Sequence, residues 1–193
     1  QRWLYFHRRF NERIYQLPKI FPTTRHANQV ITTTGTGASK LFSSIVTKVV
    51  PDYHMHDTGQ CFPLYWYEKV EPSDKPQMEL YAENGAPDAD GYIRHEAITD
   101  WALTSFQDHY SDPTITKEDI FWYVYGILHS PEYKSRFAAD LKKMLPRIPY
   151  AKDFWAFSST GRKLGNWHLN YETIEPFPLT EENKRLVMEG SDY

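Results

Sequence analysis

The chain has 193 residues, 40% of them hydrophobic, which is enough apolar material for one ordinary domain or for a small domain with a helical appendage. Its single cysteine, Cys61, excludes an internal disulfide framework. No charged leader and no long apolar run marks it for secretion or membrane insertion, so a reducing, cytoplasmic setting is expected.

The net charge of −3 hides an uneven distribution. Residues 1–50 hold Arg2, Arg8, Arg9, Arg13, Lys19, Arg25, Lys40 and Lys48 against one acid, Glu12, whereas the remaining 143 residues carry a net −10. A polyanion is drawn to the first third and repelled by much of the rest, an arrangement that orients a DNA duplex on one face. The bland alternative is a solvated basic surface that meets an acidic neighbour.

In chain order, Trp3, Tyr5 and His7 alternate with Leu4 and Phe6 as in a strand. Arg8, Arg9 and Arg13 follow, interleaved with Phe10 and Asn11, the residue types that grip phosphates and read base edges. Arg25 and Asn28 are further candidates for DNA contact, as are Gln16 and His26. Val30 to Thr33 reads as a strand, and Phe42 to Val50 as a β-rich run.

Between them Gly35-Thr36-Gly37-Ala38-Ser39-Lys40 invites comparison with a phosphate loop. The segment lacks the Walker A spacing and one glycine of the dinucleotide fingerprint, so no nucleotide site is expected. Two readings stand for it: a tight loop whose amides meet a DNA phosphate with Ser39 and Lys40, or a flexible hairpin connection. His54, Met55, His56 and Cys61 lack zinc-ligand spacing and read as a polar turn, so no metal is expected. Ser43, Ser44 and the histidines have no nucleophile context, and no catalytic residue is assigned. Cys61 is expected to be a small buried hydrophobe beside Phe62.

Cys61 to Tyr67 alternates, and residues 71–92 form an acidic stretch interrupted by Pro and Gly that reads as a loop or insertion. From about Ile93 the pattern turns helical, with Ile98, Ala102, Phe106 and Tyr110 at fourfold spacing. Thr116 with Asp119 caps a helix that is apolar nearly all round, and Ser130-Pro131-Glu132 opens another carrying Tyr133, Phe137, Leu141 and Leu145. Lys142 and Lys143 suit the end of that helix, and Pro146 stops it. A fourth helix is expected over about 152–171, weakened by Gly161 and Gly165. Its aromatics and those of its neighbours are expected to be core, and His129 and His168 to be packing residues. The end, 173–193, reads as an extended tail with a short helix capped at Thr180. The fold class is therefore α+β: a basic β-rich portion over 1–70, the acidic stretch over 71–92, and a helical portion over 93–172 with about four helices.

The segment YVYGILHSPEYK at 123–134, with LPRIP at 145–149, resembles the C-terminal specificity region of Type ISP restriction-modification enzymes. RWLYFHRRF at 2–10, NQVITTTGTGASKLFSSIVTKVVPDYH at 28–54, CFPLYWYEK at 61–69 and DFWAFSSTGRKLGNWHLNYE at 153–172 extend the resemblance in the same order. It implies a target-recognition module of a bacterial polypeptide whose upstream nuclease, helicase and adenine methyltransferase use S-adenosylmethionine, ATP and Mg2+. No cofactor is expected in this portion itself. The implied partners are double-stranded DNA and those upstream domains. A first residue of Gln1 fits a start inside a longer chain. The competing reading is a helical docking module that holds neighbouring domains together, motivated by its many apolar and aromatic helix positions.

Overall fold

The computed structural model describes residues 17–52, 55–70, 86–176 and 178–179. A one-turn helix, α1 (Leu17–Ile20), precedes five strands: β1 (Val30–Thr33), β2 (Ser44–Thr47), β3 (Gln60–Pro63), β4 (Tyr65–Lys69) and β5 (Tyr92–Glu96). Four helices follow, α2 (Asp100–Tyr110), α3 (Lys117–His129), α4 (Pro131–Arg136) and α5 (Phe154–Leu169). The α+β class with strands first and about four helices after them is what the sequence pattern implied.

β1 lies between β2 and β3 in an antiparallel sheet, pairing Ile31 with Val46 on one side and Phe62 on the other. Every residue of β1 is buried, as its unbroken Val-Ile-Thr-Thr run requires of a central strand, whereas β2 alternates. β4 and β5 form a separate antiparallel pair with Tyr67 opposite Arg94. Leu64 joins the two sheets: its N–H donates to the Gln29 carbonyl at 2.8 Å, and its carbonyl accepts from Ala97 at 2.9 Å. β5 also corrects the expectation that helical pattern begins near Ile93. Ile93 is a buried strand residue, and the alternation that marks it is only five residues long.

The helix termini follow their caps. Thr116 and Asp119 close a reciprocal capping box on α3, the Ser130 hydroxyl accepts from Tyr133 at the start of α4, and Asp153 accepts from Ala156 at the start of α5. α4 is shorter than the fourfold stripe suggested. It ends at Arg136, and turns carry the chain onward, with Leu141 buried but Leu145 43% exposed. Tyrosine hydroxyls hold the irregular stretch that follows: Tyr133 donates to the Arg147 carbonyl at 2.9 Å and Tyr123 to that of Pro149 at 2.7 Å.

α3 is the central helix, and α5 crosses it at a seam of small residues. A methyl group on Gly161 would sit 2.0 Å from the Trp122 carbonyl oxygen, one on Gly126 2.4 Å from that of Phe157, and one on Gly165 2.1 Å from the Trp122 ring. Ser158, buried in the same seam, donates to the Asp119 carbonyl at 3.0 Å. The glycines that lower intrinsic helix propensity are thus the residues that let two backbones meet. Around this seam Phe106, Tyr110, Tyr123 and Phe154 stack edge to face or in parallel, so these aromatics are core as expected. Trp101 on α2 (79% exposed) and Trp155 (43%) and Trp167 (59%) on α5 depart from that expectation.

Candidate nucleic-acid interface

The loop from Gly35 to Lys40 joins β1 to β2 and is built against the turn at residues 57–58. A Cβ on Gly35 would fall 1.7 Å from the Thr58 carbonyl oxygen, and Gly37 has a φ of +76°. Both positions therefore need glycine. Opposite them Asp57 and Thr58 adopt the left-handed conformation, with φ of 54° and 58°. The Asp57 carboxylate accepts from the Ser39 N–H at 2.8 Å and from the Ser39 hydroxyl at 2.7 Å. Those bonds, with Lys40 nearby, hold the Asp57 carboxyl below the usual carboxylate range.

The loop is thereby braced from within the chain. The donors assigned there to a phosphate already converge on a carboxylate of the same chain. Ser39 consequently acts as a brace for the loop, while the Lys40 side chain remains exposed. The connection is also tied to the helical half, because the Gly37 N–H donates to the Lys142 carbonyl at 3.2 Å.

The other expected contacts separate. Asn28 is 3% exposed, and its carboxamide is consumed internally: the amide nitrogen donates to the carbonyls of Ile20 (2.9 Å) and Tyr65 (2.7 Å). Its oxygen accepts from the main-chain N–H groups of Gln29 and Tyr65. Asn28 therefore clamps α1 and β4 onto the start of β1, and no donor or acceptor is left for a base edge. His26 is likewise buried, bonded to Thr23 at 2.7 Å and Asp88 at 2.8 Å and flanked by Tyr67 and Tyr92. Arg25 stays accessible, its side chain 76% exposed although it pairs with Asp90 at 3.1 Å. A pair this exposed is easily exchanged for another anion. Arg8, Arg9, Arg13 and Gln16 lie outside the described residues.

Cys61 and Phe62 are exposed instead of buried, on β3, which pairs with β1 alone among the described strands. Among the described residues no group of three or more His, Cys, Asp or Glu side chains is placed to hold a metal, and no helix is long and apolar enough to cross a membrane. The ring nitrogen Nδ1 of His168 bonds the Tyr125 hydroxyl at 2.5 Å, while Nε2 of His129 has no partner despite its burial. Both are thus packing residues, His168 bonded to Tyr125 and His129 to the Ser44 main chain with its Nε2 left unpartnered.

A small α+β domain with exposed cations on its loops and turns, among them Arg25, Lys40, Lys142 and Lys143, offers a surface of the kind that binds a polyanion. The comparisons with known proteins narrow this: over residues 1–192 the chain matches the family described as the Type ISP C-terminal specificity domain, and it belongs to that family. Among solved structures it is similar to the protein in the cryoEM structure of the DrdV–DNA complex, at 36% identity and a TM-score of 0.71 over 84% of this chain and 14% of that one. It is also similar to the ATP-dependent Type ISP restriction-modification enzyme LlaBIII bound to DNA, at 27% identity and a TM-score of 0.66 over 86% of this chain and 10% of that one. A third similarity is to a nuclease-deletion mutant of the Type ISP enzyme LlaGI in complex with a DNA substrate mimic (28% identity, TM-score 0.62, 84% of this chain and 12% of that one). The chain thus spans about a seventh or less of the length of these proteins. No curated protein matches.

Proposed function

We propose that this chain is the sequence-selecting module of a restriction-modification enzyme, and that it recognises an asymmetric site in duplex DNA. The observation that carries this is the specificity-domain match over 192 residues, joined to similarity with three proteins solved with DNA or a DNA mimic. Phosphate contacts set the register of such a module and side chains in the major groove choose the sequence, with no covalent step of its own. Arg8, Arg9, Arg13, Arg25 and Lys40 are the proposed contacts in the amino-terminal portion.

The polypeptide that carries it works in the bacterial cytoplasm. Its other domains bind S-adenosylmethionine, ATP and Mg2+ for adenine methylation and for translocation coupled to cleavage. The helical half docks those domains through exposed aromatics such as Trp167 (59%) and Tyr171 (71%).

The test is selection of bound duplexes from a randomised pool by the complete polypeptide. Enrichment of one asymmetric sequence is expected. Retention without enrichment overturns the reading and leaves docking as the role of the whole chain.

A further inference from the structure

The acidic average of residues 51–193 conceals a local reversal. Between Tyr133 and Pro149 the chain carries Lys134, Arg136, Lys142, Lys143 and Arg147 against a single acid, Asp140. None of these five cations forms an ion pair among the described residues. Lys117 and Arg162, by contrast, each bridge two carboxylates. Lys142 and Lys143 are exposed, and the turns that carry them rest on the Gly35–Lys40 loop through the bond from the Gly37 N–H to the Lys142 carbonyl. A main-chain bond of this kind fixes where the lysines stand without using their ammonium groups. On the other side of the loop Asp57 accepts from Ser39 and so steadies the residue next to Lys40.

We infer that Lys40, Lys142 and Lys143 form one phosphate-binding track that crosses from the β-rich half to the helical half and holds the backbone of the DNA duplex. This inference rests on the DNA-binding reading above and extends it to the part of the chain whose overall charge repels DNA. Lys142 and Lys143 have no ion pair to give up, Lys40 has the Asp57 carboxylate nearby to exchange for a phosphate, and the main-chain bond from Gly37 to Lys142 ties the two segments that carry them. The partner is the sugar-phosphate backbone, whose recognition is independent of sequence. The lysines therefore contribute affinity and register, and base choice lies with other residues.

The experiment uses the complete polypeptide and its preferred duplex, with an unrelated duplex of equal length beside it. Binding is measured across a salt series for the wild type, the double variant Lys142→Ala/Lys143→Ala, and Lys163→Ala on the exposed side of α5 as a control. Each phosphate contact contributes about 0.9 to the slope of log affinity against log salt. The double variant is therefore expected to have a slope shallower by about 2, with affinity falling by the same factor for both duplexes and selectivity unchanged. Lys163→Ala is expected to match the wild type. Because the structural contact is made by the Lys142 carbonyl, thermal unfolding of the variant should coincide with that of the parent.

An unaltered slope in the folded double variant overturns the track, as does an equal effect of Lys163→Ala or a loss confined to the preferred duplex. Absence of any sequence preference in the wild type is a separate result. It refutes the target-recognition reading while leaving the comparison of slopes intact.

Discussion

Tyr125 on α3 accepts the main-chain N–H of Val46 on β2 at 3.1 Å, and the same hydroxyl lies 2.5 Å from Nδ1 of His168 on α5. Val46 lies on β2, at the edge of the sheet among the described strands, and a helix side chain takes up its N–H there. Three elements are thereby joined at one oxygen.

Replacing Tyr125 by Phe keeps the ring and leaves the Val46 N–H buried without an acceptor. The expected cost is about 1–3 kcal/mol, read as a lowered denaturation midpoint with an unchanged m-value. An unchanged midpoint would show that the sheet edge is closed by something other than this bond.

Stability should fall in acid through His129. Burial first, then the nearby charge of Lys134 and His168, pushes its pKa down to about 4, with only the Ser44 main chain favouring the charged form. The unfolded chain has an ordinary histidine value of about 6.5 and therefore takes up the proton first. The contribution is complete above about pH 6.5 and is lost progressively as the pH falls towards 4. Burial lowers the His168 value in the same sense. Unfolding temperatures measured between pH 8 and pH 4 should decline over this window, and His129→Gln should flatten the decline. A variant whose curve runs parallel to that of the parent refutes the assignment.

Asn28→Ala separates a structural role from a recognition role. Two carbonyls and two N–H groups lose their partner, so a loss of roughly 2–4 kcal/mol is expected, as for other broken buried polar networks. The salt slope of DNA binding by the remaining folded protein should not move. A variant that unfolds like the parent but binds a different sequence would restore Asn28 as a base reader.

Gly161→Ala forces a methyl group to within 2.0 Å of the Trp122 carbonyl oxygen, so α5 must move off α3. Overpacking of this kind costs about 1–3 kcal/mol or more, because the obstacle is backbone. The unfolding temperature should drop by several degrees, about 2–4 °C per kcal/mol in a chain of this size. Ser159→Ala, on the exposed side of the same helix, should have little effect.

The helices were legible because their signals are local. Thr116 with Asp119 and Ser130 with Pro131 lie within one turn of what they cap, and the stripe from Ile98 to Tyr110 repeats often enough to be seen. α4 was overestimated because Phe137, Leu141 and Leu145 keep their spacing past Arg136 although the chain leaves the helix there. β5 was missed because its five residues run straight into helical pattern. For the interface, composition located cations but not their partners. Nothing near Ser39 in the sequence announces Asp57, which lies 18 positions away, and Asn28 looks the same whether it faces a groove or a carbonyl. Lys142 and Lys143 were attributed to the helix dipole because their approach to Gly37 spans more than a hundred residues.

The glycine seam between α3 and α5 also bears on how such a domain changes its preference. A frame in which a single methyl group meets main-chain oxygen at Gly126 or Gly161 has no room to absorb larger residues, so its geometry is inherited whole or not at all. New targets must then be acquired by rewriting what the frame carries: the loop between β1 and β2, the turns after α4, and the solvent faces of the strands. A rigid mount with exchangeable contacts lets a specificity domain diversify one surface residue at a time without altering the shape of the frame itself.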